Sequence, residues 1–152
     1  MRQPADLDAM QRRVRESFAR QAAMATLGAH LAEIAPGRVA VELAHAPHLT
    51  QQHGFLHAGM VAAALDSACG YAAFTLMPEG AAVLTIEFKI NLLAPAQGPR
   101  FRFEGVVTKA GRTISVVDGR ALQSAADGTG EKLVATMTAT VMTVLGRESL
   151  RH

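Results

Sequence analysis

Apolar positions recur along this chain with two different periods, and the change from one to the other divides it. Leu7, Met10, Val14 and Phe18 stand at helical spacing while Arg12, Arg13, Arg15 and Glu16 fall on other faces, which predicts an amphipathic helix over about residues 6–20. Two short strands follow, at about 28–35 and at Arg38–Ala44, with Pro36-Gly37 as the turn between them. Residues 45–56 read as loop, and the nearly uncharged run at about 57–76 reads as a helix apolar on almost every side, ending near Pro78-Glu79-Gly80. From residue 84 onward the period is two. Leu84, Ile86, Phe88, Ile90 and Leu92 alternate with Thr85, Glu87, Lys89 and Asn91 until Pro95 stops the strand. Phe101–Lys109 and Thr113–Leu122 form a hairpin on Ala110-Gly111, and Asp127-Gly128-Thr129-Gly130 turns the chain again. Leu133, Ala135, Met137, Ala139 and Val141 mark a last strand whose other face is rich in threonine.

This order predicts an α+β fold. A helix apolar on nearly every side must be covered all round, and an antiparallel sheet curling about it is the economical cover. The even-numbered residues of 84–92 are expected to face the helix, and Ala62, Ala63, Ala64, Ala68, Ala72 and Ala73 let the two surfaces approach closely. One sheet wraps only part of a helix, so a second copy of the chain is expected to cover the remainder. The domain plan is an N-terminal helical segment (1–24), a sheet-and-helix domain (25–146) and a tail (147–152) that is expected to fray.

Composition narrows the function. With 152 residues, 49% of them apolar, the chain is one domain able to bury a core without disulfides or a structural metal. Lys and Arg (15) barely exceed Asp and Glu (13), and with 5% aromatics and no Trp a nucleic-acid stacking surface is not expected. Cys69 is the one cysteine, which excludes an intramolecular disulfide framework and every multi-cysteine metal motif and fits a soluble, cytoplasmic protein. Asp6, Asp8 and Arg12-Arg13 fall where a signal peptide needs an apolar run. Residues 58–77 have the length of a membrane span, but they are built of Ala and Gly with Asp66 near the centre. A mid-bilayer aspartate costs about 2.5–3.5 kcal/mol, so this segment reads as a buried helix and no membrane association is expected.

Asp66 is the anomaly of that helix. With no Lys or Arg within ten residues, it either bonds a local polar group at the surface or serves as a base or nucleophile whose pKa is raised by dry surroundings. The loop Gln51-Gln52-His53-Gly54-Phe55-Leu56-His57-Ala58-Gly59 feeds the helix N-terminus, where unpaired N–H groups can meet a developing oxyanion; alternatively His57 and Gly59 only shape the turn into the helix. His45, His48, His53 and His57 fall close together, but Pro47 and Gly54 break the spacing and no carboxylate ligand is near, so no metal is expected. Cys69 reads as a small buried hydrophobe, and Ser67 lies inside a helix without a Gly-x-Ser-x-Gly elbow. Lys89, Arg100, Arg102, Lys109, Arg112 and Arg120 could meet a nucleotide phosphate, but each reads first as a solvated surface charge.

These residues resemble the acyl-CoA thioesterases of the hotdog superfamily, in particular the phenylacetate-pathway type. The resemblance is carried by Gln51, His57-Ala58-Gly59, Asp66-Ser67-Ala68, the strand Leu84–Pro95 with Asn91 and Ala94-Pro95-Ala96, and the hairpin Lys109-Ala110-Gly111-Arg112-Thr113, over residues 25–145. It implies a hotdog fold and hydrolysis of an acyl or aryl-acyl thioester to the free acid and CoA, without a cofactor, by a homodimer or dimer of dimers. By the same resemblance Asp66 is the general base or nucleophile, and the Ala58 N–H, with Gly59 beside it, polarises the carbonyl. Gln51 positions water or the carbonyl, Thr85 helps to hold water, and His57 and Ser67 contact the substrate. Ala58 replaces the first glycine of the family pattern, and Gln51 is one methylene longer than the commoner Asn. A non-catalytic acyl-CoA or hydrophobic-ligand binding module on the same fold is the alternative, and Asp66 weighs against it. Asp66 lies eight residues beyond Ala58, about 12 Å along one helix axis, too far for one helix to supply both groups to one carbonyl. Two antiparallel helices across a two-fold axis can.

Overall fold

The computed structural model describes residues 4–150. Helix α1 (Pro4–Ala19) leads into a short α2 (Ala22–Leu27), then β1 (His30–Ala35) and β2 (Arg38–Ala44). After a loop holding a 3-10 turn at Pro47–Leu49 come the central α3 (Ala58–Phe74), β3 (Ala82–Leu92), β4 (Arg100–Lys109), β5 (Ile114–Ser124) and β6 (Glu131–Val144). The strands form one six-stranded antiparallel sheet in the order β1-β2-β4-β5-β6-β3. Helix α3 packs on one face of it against β2 to β6. This is the α+β architecture that the alternating strands and the apolar helix imply, and it matches the hotdog fold that the resemblance implies.

Close approach of helix and sheet is arranged from both sides. Ala64, Ala68 and Cys69 are fully buried on α3, and beneath them the cross-strand partners Gly105 of β4 and Gly119 of β5 carry no side chain. A Cβ at Gly105 would stand 2.5 Å from the Ala68 carbonyl oxygen, so the sheet touches the helix backbone there.

Away from the sheet, the second half of α3 is covered by the chain's own N-terminal helices. The Ser17 and Tyr71 hydroxyls are 3.0 Å apart, and the Arg13 guanidinium donates to the Phe74, Met77 and Pro78 carbonyls at 3.0 Å each while lying 4.6 Å from the Phe74 ring centre. A cation at that position satisfies the orphan carbonyls of a helix C-terminus and opposes its dipole. Every residue of α3 from Ser67 to Phe74 is buried, whereas Ala58, Gly59, Ala62, Ala63 and Asp66 keep some exposure. What a second copy can still cover is the first half of the helix.

Three details depart from the expected pattern. Helix α2 stands ahead of the strand expected from residue 28, because Gly28, at φ 69°, closes that helix and β1 begins at His30. A β-bulge between Thr85 and Glu87 shifts the register of β3 against β6. Thr85 pairs with buried Val141 and Phe88 with buried Ala139, so Thr85, Phe88, Ile90 and Leu92 share the helix side. Leu84 turns to the other face, contrary to the even-numbered rule. The tail forms a 3-10 turn at Glu148–Leu150 where fraying was expected; residues 151–152, like 1–3, lie outside the described residues. Among the described residues no helix is long and apolar enough to cross a membrane, and α3 spans 17 residues.

Candidate active site

The loop before α3 is tied at both ends. Leu56 N–H donates to the Ala96 carbonyl and His57 N–H to the Leu49 carbonyl, each at 2.9 Å. Between them Gln51 closes a small turn on itself: its N–H donates to the Phe55 carbonyl at 2.9 Å, its carbonyl accepts from Gly54 N–H at 3.1 Å, and its side-chain Oε1 accepts from His53 N–H. A backbone donor held on Oε1 leaves the amide Nε2 as the free end of the Gln51 side chain.

His57 is the N-cap of α3. Its extended backbone (φ −60°, ψ 137°) turns the chain into the helix, and its Nδ1 accepts from Gly59 N–H at 2.9 Å. Gly59 makes room for the imidazole, since a Cβ there would sit 3.1 Å from Nδ1. The N–H groups of Met60 and Val61 both go to the His57 carbonyl. The Gly59 amide is therefore occupied, and the Ala58 N–H finds no acceptor among the described residues. Ala58 and Gln51 line one open cleft of about 410 Å³, walled by Phe55, Val61, Leu93 and Ala94 among others. Its apolar walls were not foreseen. Their signal was present in the i, i+3 spacing of Ala58 and Val61 and in Leu92 and Leu93, the last residue of β3 and the one after it, ahead of Pro95.

Asp66 does not line that cleft. Eight residues of helix carry it about 12 Å along the axis and about 80° around it from Ala58. There the Thr85 hydroxyl donates to Asp66 Oδ1 at 2.7 Å, a contact that the bulge in β3 makes available by turning Thr85 inward. None of the ion pairs among the described residues includes Asp66. Burial pushes its carboxyl pKa up, and the Thr85 hydrogen bond opposes that rise without cancelling it. The result is a half-exposed carboxylate that binds a proton more readily than an ordinary aspartate and is oriented by a hydroxyl.

The remaining candidates go elsewhere. Ser67 is buried and its hydroxyl donates to Gln21 Oε1 at 3.3 Å, so its bond reaches the N-terminal helices rather than Asp66 or Thr85. Burial, with Asp66 and Asp118 adding to it, pushes the Cys69 thiol up to about 12, so it carries no nucleophilic thiolate near neutrality. His45 Nε2 is bonded to the Gly54 carbonyl at 2.8 Å and helps to hold the Gln51 turn. Arg102 is engaged with Glu33, Glu42 and Glu104 at 2.7–2.9 Å, and Lys89 with Asn91 at 2.7 Å. Arg100, Lys109, Arg112 and Arg120 are exposed.

Known proteins resemble this chain in sequence and fold. The family model of the thioesterase superfamily matches residues 53–125, which span the N-cap of α3, Asp66 and Thr85. A thioesterase family protein from Silicibacter pomeroyi is 55% identical, with 90% of this chain and 99% of that one covered, at a TM-score of 0.87. A phenylacetic acid degradation-related protein from Ralstonia eutropha JMP134 is 27% identical over 88% of this chain and 98% of its own, with a TM-score of 0.74. A candidate esterase of Saccharolobus solfataricus is 37% identical over 82 residues, and the match spans 54% of this chain and 58% of that relative's length. The chain belongs to the thioesterase superfamily, the hotdog-fold hydrolases of thioesters.

Proposed function

We propose that this protein hydrolyses acyl-CoA thioesters to the free acid and CoA, in the cytoplasm and without a cofactor. It works as a homodimer, alone or doubled, in which each active site draws on both protomers. The carrying observation is Asp66: a desolvated carboxylate with no cation partner among the described residues, bonded by Thr85, on the half of an apolar helix that the chain leaves partly open.

In this reading Asp66 is the general base. The Thr85 hydroxyl donates a hydrogen bond to Asp66 Oδ1 and keeps lone pairs that accept from a water, which fixes that water beside the carboxylate. Asp66 removes a proton from the water as its oxygen adds to the thioester carbon. The oxyanion that forms is met by the Ala58 N–H, backed by the helix N-terminus, and by the free Nε2 of Gln51. Collapse breaks the C–S bond, and the leaving thiolate takes the proton that Asp66 removed from the water, so CoA departs as the thiol and the acyl group as the acid. Gly59 and His57 hold the first turn of α3 that presents the donor. CoA as the thiol rests on the resemblance of the motifs, and the exposed Arg100, Lys109, Arg112 and Arg120 are available to its phosphates.

Two features support the shared site. Asp66 and the cleft of Ala58 lie on different faces of one helix about 12 Å apart. Edge strand β3 also exposes Leu84, Ile86, Phe88 and Leu92 by 41–54%, while the opposite edge carries the ion pairs of Glu33 and Arg38. A long apolar edge is a pairing surface, and a charged one discourages pairing. A second copy joined through β3 brings the two α3 helices side by side along Gly59, Ala62 and Ala63, whose small side chains let Asp66 of one reach the Ala58 end of the other.

The test is thiol release over a panel of acyl-CoA thioesters. Turnover of at least one acyl-CoA, lost in Asp66→Asn, is the expected result. Binding of acyl-CoA without hydrolysis of any member overturns the reading.

A further inference from the structure

We infer that the cleft beside the N-terminus of α3 receives the acyl group and that its walls select uncharged, apolar acyl groups. This rests on the thioesterase reading and adds to it the class of substrate and the residues that choose it. Exposed Ala58 and buried Val61 both line the cleft, and Val61, three residues on along the same helix face, lies about 4.5 Å further along the axis. A carbonyl oxygen held at the Ala58 N–H therefore places the attached chain alongside Val61, between Phe55 on the loop and Leu93 and Ala94 after β3, with Val134 of β6 also on the wall.

Two other parts of the substrate compete for this space, and the lining side chains suit each of them less well than an acyl chain. The nucleotide end carries phosphates, and no Lys, Arg or His lines the cleft. The pantetheine arm carries two amides whose N–H and C=O groups each need a partner once desolvated. Of the lining side chains only Gln51 is polar, and its oxygen is already bonded to the His53 N–H. An acyl chain makes no such demand. The same lack of a cation disfavours acyl groups that end in a carboxylate, since an unpaired charge would have to enter an apolar space. A volume of about 410 Å³ falls in the range of small-ligand sites.

Substrate selectivity of purified full-length protein tests this. Wild type is expected to hydrolyse pentanoyl-CoA about 10²-fold better, as kcat/KM, than succinyl-CoA, a chain of similar length with a charged end. Ala94 is half-buried on the wall, and Ala94→Phe is expected to lower kcat/KM for hexanoyl-CoA and benzoyl-CoA about tenfold more than for acetyl-CoA. Phe55→Ala is expected to shift the decanoyl-to-hexanoyl ratio about threefold or more in the opposite direction, towards larger groups. It guards against a misfolded Ala94→Phe, and circular dichroism checks both. Equal losses for acetyl-, hexanoyl- and benzoyl-CoA in Ala94→Phe, with no change of ratio in Phe55→Ala, place the shared pantetheine arm in the cleft and overturn the inference. Comparable rates on succinyl- and pentanoyl-CoA also overturn it. A wild type inactive on the whole panel overturns the thioesterase reading and this inference with it, whereas an active enzyme with unaltered selectivity overturns the inference alone.

Discussion

Replacing Gly105 by alanine is expected to push the central helix off the sheet and to show in both stability and turnover. The new Cβ would lie 2.5 Å from the Ala68 carbonyl oxygen, 2.6 Å from its carbon and 2.8 Å from the Cys69 Cα. All three are backbone atoms of a buried helix, so no side chain can rotate away. Ordinary contact needs about 3.5–4.0 Å, so α3 must move by about 1 Å. Overpacking of this kind costs about 1–3 kcal/mol, and a backbone obstacle belongs at the upper end. Removing glycine from a strand interior returns about 0.5–1 kcal/mol, which leaves a net loss of about 2 kcal/mol. In a domain of this size that lowers Tm by about 4–8 °C. Gly119 is the control. A Cβ there meets Cys69 Sγ at 2.9 Å and Leu65 Cδ2 and Met137 Cβ at 3.2 Å, all of them side-chain atoms. Gly119→Ala should therefore stay within about 1 kcal/mol of wild type. Asp66 is two residues from Ala68 on the displaced helix, and a shift of about 1 Å can cost about 10²-fold in rate, so Gly105→Ala should also lose kcat. Thermal unfolding and thiol-release kinetics on both variants measure these effects. Equal Tm values for the two would refute the claim that backbone contact at Gly105 sets the distance between helix and sheet.

Three further outcomes follow from the site and the sheet edge. Asp66→Asn should lower kcat about 10²–10⁴-fold. Because folding raises the Asp66 pKa, the native state loses stability as pH rises through that folded value; the Asn variant escapes this loss and should gain in Tm relative to wild type on going from acid to neutral pH. A Tm difference that does not move with pH contradicts it. Thr85→Val removes a hydrogen bond that favours the ionised carboxylate, so the fall of kcat on the acid side should move to higher pH, and Thr85→Ser should restore it. Phe88→Lys places a charge on the exposed apolar edge of β3 and should yield monomers by light scattering with greatly reduced turnover; a fully active monomer would sink the shared site.

The fold was legible because its two hydrophobic periods are regular. A period of two from residue 84 onward and an apolar helix ahead of it leave few arrangements besides a sheet laid on that helix. The bulge in β3 was not legible, since nothing in Thr85-Ile86-Glu87 marks an unpaired residue, and one such residue inverts the parity of everything before it. The alanines of α3 announced close packing, but Gly105 and Gly119 become partners only through the register of β4 on β5. Arg13 looks like any cation on a polar helix face. Its role at the end of α3 depends on a contact more than sixty residues away in the chain. In the site, Asp66 announces itself as a charge in an apolar run, and its proximity to Thr85 came from the family resemblance. The cap made by His57 and the engagement of the Gly59 amide are local geometry that a motif does not encode.

Mixing two inactive variants tests the shared active site most directly. Ala58→Pro removes the donor N–H and is compatible with the first position of α3, where proline is best tolerated and where His57 already has the extended backbone that precedes proline. Asp66→Asn removes the base and keeps an Oδ1 for Thr85. Each homodimer should be nearly inactive. After subunit exchange of equal amounts, verified by native mass spectrometry of differently tagged chains, half of the dimers are mixed. In each mixed dimer one site has Asp66 from the Ala58→Pro chain and the N–H from the Asp66→Asn chain, while the other carries both lesions. Activity should then return to about a quarter of wild type. Complete exchange with no recovery would contradict a site built from two protomers.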